Sequence, residues 1–343
     1  MKTCSLFGKK YLDIEKRELE LPALTENGAL VKVHACGVCG TDLNFVRDWS
    51  GARQPLGHEI SGEVVELGAK VAGVKVGDHV VVEDCSMCGA CPDCKSGHPE
   101  FCRNMHTLNG YPGMGDYLVV DAGNLNVHEG MDHVSACLTE PLAVALSAVL
   151  TADIPPCGTV MVFGPGPIGL LAAKVAKIMG AGFVGVSGRS ADTVMAKARL
   201  ALAGKLGCDL VVTAKDMDME AAVKQHCPKG VDRVIVTSPP QSMGDAFRII
   251  RYGGVITFLG LSFSGQNVIP FDVNAAIFNK TTLRPVFAEP ALNFPAAAAL
   301  IRSGKIDASL FQTHTFSFDD APEALKRALE GSIPVIKPVF RPC

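Results

Sequence analysis

The chain has 343 residues, 48% apolar and 20% charged, with a formal net charge of −3. That composition excludes a disordered chain and is long enough for one large or two ordinary domains. The slight negative charge gives no electrostatic basis for binding nucleic acid or an anionic membrane.

Residues 1–10 lack the apolar core of a signal peptide. No unbroken run approaches the roughly 18 apolar residues of a membrane-spanning helix. A cytoplasmic location is therefore expected. In that compartment thirteen cysteines point to metal binding and free buried thiols rather than disulfides.

In chain order, the first 150 residues read as β-rich. The charge-dense run 9–20 predicts a solvated hairpin. Strands are expected at 29–34 and 63–67, and the turn Gly77-Asp78 leads into another at 80–82. Turn residues recur about every ten positions, as in a small barrel-like β domain. The texture changes near Thr151. Residues 159–163 form an apolar run that predicts a buried strand. A glycine loop follows, then an apolar helix to about Met179. Further strands are expected at 182–187, 209–213, 233–237 and 254–259, with helical stretches between several of them. Strands alternating with helices predict a parallel, doubly wound sheet. Helices at 294–303 and 321–331 close the chain. There is no internal repeat and no low-complexity segment.

Cys88, Cys91, Cys94 and Cys102 are spaced C-x2-C-x2-C-x7-C. Four thiolates so close together suit a tetrahedral zinc, and a closed four-thiolate site holds structure without leaving a position for chemistry. Cys85 extends the ladder by one step, so an iron–sulfur electron carrier is the rival reading; the bacterial cluster run, however, ends x3-C-P and this one does not. A zinc-finger binding module would need a basic helix, which is missing. The other cysteines, Cys4, Cys36, Cys137, Cys157, Cys208, Cys227 and Cys343, have no partner pattern and read as buried small hydrophobes or free thiols.

Chemistry must therefore come from elsewhere. Cys39, His58 and Glu59 offer thiolate, imidazole and carboxylate, the ligand types of a catalytic zinc with one open position. Cys36 and Cys39 could instead be a redox C-x-x-C pair, but no thioredoxin-like βαβ pattern surrounds them. Gly164-Pro165-Gly166-Pro167-Ile168-Gly169 lies between a predicted strand and helix. This is the setting in which such a loop cradles a pyrophosphate. About 20 residues on, a dinucleotide fold usually places an acid on the adenosine ribose. Here that place, near Gly188, holds Ser187-Gly188-Arg189-Ser190. A guanidinium in place of a carboxylate favours a 2′-phosphate, hence NADP(H). If Arg189 is only a surface charge, NAD(H) remains the cofactor.

In their order along the chain, Cys36-Gly37-Val38-Cys39-Gly40-Thr41-Asp42, Pro55-Leu56-Gly57-His58-Glu59, the four-cysteine lobe, Glu140-Pro141-Leu142-Ala143-Val144-Ala145, Gly164–Gly169 and Ser303-Gly304-Lys305-Ile306 resemble the zinc-dependent medium-chain alcohol and polyol dehydrogenases. The resemblance spans nearly the whole sequence. It implies an α/β protein: a discontinuous, β-rich GroES-like catalytic domain and a Rossmann doubly wound parallel-sheet domain. The catalytic domain would occupy 1–150, with a structural zinc lobe at about 84–103, and the nucleotide domain 151–284. Residues 285–343 would return to the catalytic domain. Cys39 and His58 match catalytic zinc ligands. Glu59 would bind the metal or stand just behind it. Glu140 falls where polyol dehydrogenases of the sorbitol dehydrogenase branch carry a glutamate ligand and alcohol dehydrogenases a cysteine. Thr41 matches the start of a proton relay, and Asp42 a residue that orients the His58 imidazole. A small hydroxylated or carbonyl substrate is implied, as is a homodimer or homotetramer. Three features depart from the pattern: the missing acid at Gly188, the short segment 44–53, and Glu289, where sorbitol-type members tend to offer a basic residue. The last weakens sorbitol as the substrate. A non-catalytic structural or regulatory relative of the same fold is a further alternative, against which the intact Cys39, His58 and Glu59 argue.

Overall fold

A hairpin opens the chain. Strands β1 (Lys2–Lys9) and β2 (Asp13–Glu20) pair antiparallel, with Lys2 opposite Glu20 and Lys9 opposite Asp13. It begins earlier than the charge pattern predicts because Leu6 drives β1 into the core while β2 keeps its charged side chains in solvent. The turn places Tyr11 and Leu12 at φ 71° and 55°. The computed structural model describes residues 1–108, 111–262, 267–289 and 291–342; Cys343 lies outside them.

Next come β3 (Gly28–Gly37), α1 (Gly40–Asp48), β4 (Glu59–Leu67), β5 (His79–Val82), β6 (Tyr117–Asp121), β7 (Leu125–Val127) and α2 (Thr139–Ala152). The parallel region follows: β8 (Thr159–Phe163), α3 (Pro167–Ile178), β9 (Phe183–Gly188), α4 (Val194–Lys205), β10 (Leu210–Thr213), α5 (Met219–His226), β11 (Val231–Val236), α6 (Met243–Ile249), β12 (Ile250–Phe258) and β13 (Thr282–Pro285). The chain ends with α7 (Phe294–Arg302), β14 (Gln312–Phe316), α8 (Ala321–Glu330) and β15 (Lys337–Phe340).

Two compact units result. One comprises Met1–Ala143, Glu289–Glu330 and the chain from Lys337 onward; the other comprises Val144–Ala288 and Gly331–Ile336. In the first unit the sheet runs β7-β5-β4-β3-β15-β14, with β6 also paired to β3. β15 lies antiparallel to β3, with Val339 opposite Gly37 and Phe340 opposite Cys36. The last strand of the chain is thus stitched beside the strand that leads to Cys39. Its core gathers Leu6, Val31, Val33, Val64, Leu118 and Phe340.

The second unit has one parallel sheet in the order β10-β9-β8-β11-β12-β13. Val160, Met161 and Val162 are fully buried, as are Val234 and Ile235. Strands covered on both faces read as continuous apolar runs, which is why these were visible in the sequence. The strand order reverses between β8 and β11, and their carboxyl ends open a crevice at that switch point. Gly331–Ile336 docks on α4: Met195 N donates to Gly331 O (3.1 Å) and an Arg199 guanidinium nitrogen to Ile336 O (3.2 Å).

Among the described residues, one helical stretch, His133–Ala152, is long and apolar enough to cross a membrane, and 67% of its most apolar window is buried within the protein. Glu140 and Pro141 interrupt the apolar run but not the helix. Leu138, Leu142, Ala145 and Val149 are almost wholly buried in the folded chain.

Candidate active site

β3 delivers the chain to Cys39, which stands at the N-terminus of α1. Asp42, on the first turn of α1 and 1% exposed, accepts hydrogen bonds from two backbone amides: Cys39 N (2.9 Å) and Gly57 N (2.9 Å). One carboxylate therefore fixes both backbone segments that carry the proposed ligands. Through the second of these bonds Asp42 fixes the backbone immediately before His58. Gly57 sits at φ 91°, where a Cβ would come within 2.6 Å of Met114 and 2.7 Å of Cys36 Sγ. Only glycine makes this turn without strain.

The result is a convergent set. The Cys39 Sγ, an imidazole nitrogen of His58 and a carboxylate oxygen of Glu59 lie within 4.8 Å of one another. Thr41 Oγ1 is 3.7 Å from Cys39 Sγ. Glu140, in the first turn of α2, is buried and within electrostatic reach of His58 and Cys39. Burial opposes charge on His58, but Cys39, Asp42 and Glu140 outweigh it and raise the imidazole well above its ordinary value. Burial raises the Glu140 carboxyl, and the negative charges of Asp84 and Glu59 raise it further. Asp84 is pushed up to about 6, first by burial. A thiol, an imidazole and several carboxylates gathered in one pocket call for positive charge, which a divalent cation would supply.

Part of that charge is supplied by a residue the motifs did not reveal. Lys337 Nζ donates to both Glu59 oxygens at 2.5 Å and to Val38 O at 3.0 Å. Both side chains of the pair are buried, with 3% and 1% exposure. Burial works against a charged Lys337, but Glu59, Cys39 and Glu140 more than offset it and raise its pKa. The sequence held one signal, a lysine inside the apolar run Val335-Ile336-Lys337-Pro338-Val339-Phe340. Cys36 is fully buried, Cys39 is half-buried, and both are free thiols. Burial raises Cys36 well above an ordinary thiol, which makes it a poor redox partner.

The ligand atoms of Cys88, Cys91, Cys94 and Cys102 also lie within 4.8 Å of one another. The Cys91–Cys102 and Cys88–Cys102 sulfur separations are 4.0 and 3.5 Å. A tetrahedral zinc with bonds of about 2.3 Å needs sulfurs about 3.8 Å apart, so the set fits. Backbone amides of Ala90 and Cys91 favour the Cys88 thiolate and bring its pKa down to about 6. Cys85 is outside the set: its thiol donates to Met105 Sδ (3.4 Å). The ladder's register is therefore 88, 91, 94, 102.

In the second unit, the loop Gly164–Gly169 leads from β8 into α3, with Gly166 as the N-cap and Pro167 then Ile168 as its first residues. A Cβ on Gly169 would lie 1.9 Å from Gly164 O, while one on Gly166 would meet nothing within 4 Å. The third glycine is thus demanded by the fold, and the second leaves open space at a helix N-terminus where a phosphate could sit. The adjoining cavity, about 500 Å³, is lined among others by Gly164, Ser187, Gly188, Arg189, Ala214 and Ser238. The Arg189 side chain is exposed beside it. Asp192 is the nearest acid downstream, and Lys215 pairs with it at 2.9 Å. Lys215 N also donates to Arg189 O (3.0 Å). No local signal identified Lys215; the β9–β10 pairing brings it there.

Comparison with known proteins agrees with this layout. Residues 25–129 match the alcohol dehydrogenase GroES-like domain, and residues 167–303 match the zinc-binding dehydrogenase domain. The chain is 33% identical over 341 residues to L-galactonate-5-dehydrogenase of Escherichia coli K12, covering 96% of each chain. It is 28% identical to sorbitol dehydrogenase of Bacillus subtilis 168, covering 100% of this chain and 97% of that one. A zinc-binding dehydrogenase from Sinorhizobium meliloti 1021, solved bound to NADP, superposes with a TM-score of 0.88 at 27% identity, with both chains fully covered.

Proposed function

This chain belongs to the zinc-dependent medium-chain alcohol and polyol dehydrogenases, and on that premise we propose that it oxidises a secondary alcohol or polyol-like substrate, reversibly, with NADP(H) preferred to NAD(H). The observation that carries the reading is the convergence of Cys39, His58 and Glu59 within 4.8 Å, with Glu140 in reach. These four would hold the catalytic zinc, and Cys88, Cys91, Cys94 and Cys102 the structural one. The unit built around β3 would be catalytic and the parallel-sheet unit would bind the nucleotide. Zinc supplies Lewis acidity toward a hydroxyl or carbonyl oxygen, and the nicotinamide accepts or returns the hydride.

The chain's own residues account for the rest. Oxidation removes one hydride and one proton from the substrate. Thr41 Oγ1, 3.7 Å from Cys39 Sγ, would accept that proton while donating its own outward. Asp42 keeps the segments bearing Cys39 and His58 in register. Lys337 orients Glu59 by donating to both of its oxygens. Gly164, Gly166, Pro167, Ile168 and Gly169 would cradle the pyrophosphate. Ser187, Gly188 and Arg189 would meet the adenosine ribose, where a guanidinium suits a 2′-phosphate. Lys215 supports this by neutralising Asp192.

Glu289 lies close enough to Asp84 and Cys85 to act on both electrostatically. Added negative charge there disfavours carboxylate and phosphate substrates and suits neutral, hydroxylated ones. A second copy of the chain is the partner that suits the exposed Leu261, Val268, Phe271, Ile277 and Phe278 near the edge strand β13. A cytoplasmic location completes the reading.

The test is a polyol panel assayed with NADP and NAD in parallel, with metal content measured on the same samples. Turnover should depend on zinc and favour NADP, and Arg189→Ala should raise the NADP KM about 10-fold or more, the worth of a charge-assisted hydrogen bond, with little change for NAD. A clear wild-type preference for NAD would overturn the cofactor assignment. Full turnover in a Cys39→Ser variant lacking metal at that site would overturn the mechanism.

A further inference from the structure

A second cluster of titratable side chains lies in the first unit, outside the candidate metal sites. The His133 ring is sandwiched between His34, at 4.3 Å and 21° between planes, and His79, at 4.8 Å and 13°. His128 meets the stack edge-on, 5.8 Å from His133 and 6.1 Å from His79. His34 is the extra residue of a bulge in β3, His79 opens β5, and His128 follows β7. Ser61, on β4, ties the rings together: its hydroxyl oxygen is 2.8 Å from His133 Nδ1 and 3.3 Å from His128 Nε2. Ser61 gives its own proton to Val80 O (3.1 Å), so it accepts from both rings. His128 is then left with Nδ1 as its only free lone pair, and that atom is buried without a partner. Adding a proton there creates a buried, unsatisfied charge. The acids facing the stack are Glu63, 3.5 Å from His34 Nε2, and Asp132, whose carboxylate accepts from Ser135 N and Ser135 Oγ.

Its position gives the cluster a consequence. Ser61 is two residues beyond Glu59 on β4, and His133 begins the short helix His133–Ala136 that leads into α2 and Glu140. We propose that the imidazole stack is an acid-labile brace: neutral, it locks the strand bearing Glu59 to the segment bearing Glu140; protonated, it separates and the two carboxylates lose their register. His133, His128 and Ser61 are positioning residues in this scheme, which rests on Glu59 and Glu140 serving the metal. The sign is fixed by the folded-state basicities. Burial first, then His34, His79 and His128, pull His133 down to about 4, with Asp132 opposing; burial and His79 also lower His128. The folded protein therefore takes up these protons later than the unfolded chain, whose histidines titrate near 6.5. The stabilisation is complete above about pH 6.5 and is lost as pH falls toward about 4.

The experiment measures the thermal unfolding midpoint, zinc content and dehydrogenase rate of the holoenzyme from about pH 8 to about pH 5. The variants are His133→Phe, which keeps a stacking ring but cannot titrate, and His79→Gln, an exposed change that removes one imidazole. In the wild type the midpoint and the rate should fall together on acidification. In both variants the midpoint should depend less on pH; in His79→Gln the inflection in rate should move up by about half a unit or more, because one imidazole that holds His133 and His128 down is gone, and in His133→Phe it should flatten. A variant that is uniformly less stable while its inflection stays put would reduce the stack to ordinary packing and overturn the proposal. Should His133→Phe fail to fold, His79→Gln carries the test alone. The unfolding midpoint needs no substrate, so it still tests the stack if the dehydrogenase reading fails.

Discussion

At the residue scale, the Glu59–Lys337 pair is a buried ion pair within the candidate metal site. Neither partner is exposed, so removing one leaves a buried charge without compensation. Lys337→Met is expected to cost about 3–5 kcal/mol of stability, measured by denaturant unfolding. The Glu59→Gln, Lys337→Met double variant should recover a large part of that loss, because no lone charge then remains. A double variant as unstable as the sum of its parts would mean that Lys337 acts by packing alone. The motif search found Glu59, because it follows His58 in sequence. Lys337 escaped it, because 278 positions separate the partners and only strand pairing brings them together.

At the scale of elements, the two glycines of the β8–α3 turn make opposite demands. A methyl group on Gly169 has no room, since Gly164 O stands 1.9 Å from its Cβ position. Gly169→Ala must therefore push helix from strand and should lower the unfolding midpoint of the protein with or without nucleotide. Gly166→Ala meets only open space. It should leave the unfolding midpoint within a degree or two, about 0.5 kcal/mol, yet weaken NADP binding by titration calorimetry. Equal effects of the two on stability would remove the argument that the second glycine clears space for a ligand. The parallel strands and α3 were legible because local apolar runs announce strands buried on both faces. The end of α2 and all of α1 were less so. The moderate apolar bias of α1, with only Asp42 and Val46 buried, gives a weak periodic signal. The polar start of α2 interrupts the apolar run that follows it.

At the scale of the whole molecule, the chain leaves its first unit after Ala143 and rejoins it at Glu289, then sends Gly331–Ile336 back to the second. Lys337 and the candidate ligands therefore sit on segments far apart in sequence, and a truncation anywhere after Phe311 would remove a strand from the sheet that carries Cys39. The exposed apolar residues near β13 belong to this scale as well. Replacing both Ile277 and Phe278 by Glu should shift the sedimentation profile of a homo-oligomer toward monomer, with folding preserved because both side chains point to solvent. An unchanged profile would place the interface elsewhere.

By itself the sequence determined the family, the cysteine lobe, the glycine loop and the missing ribose acid, since each is written in residues close together along the chain. Spacing of that kind survives translation into space almost unchanged: C-x2-C must bring two thiols near each other, and G-x-G-x-x-G after a strand must make a tight turn. Tertiary structure alone decided that Cys85 stands outside the sulfur set, that Lys337 grips Glu59, that Lys215 neutralises Asp192, and that four histidines share one stack. These contacts join strands and loops from distant parts of the chain, and their energies come from burial and charge, which exist only once the chain has folded.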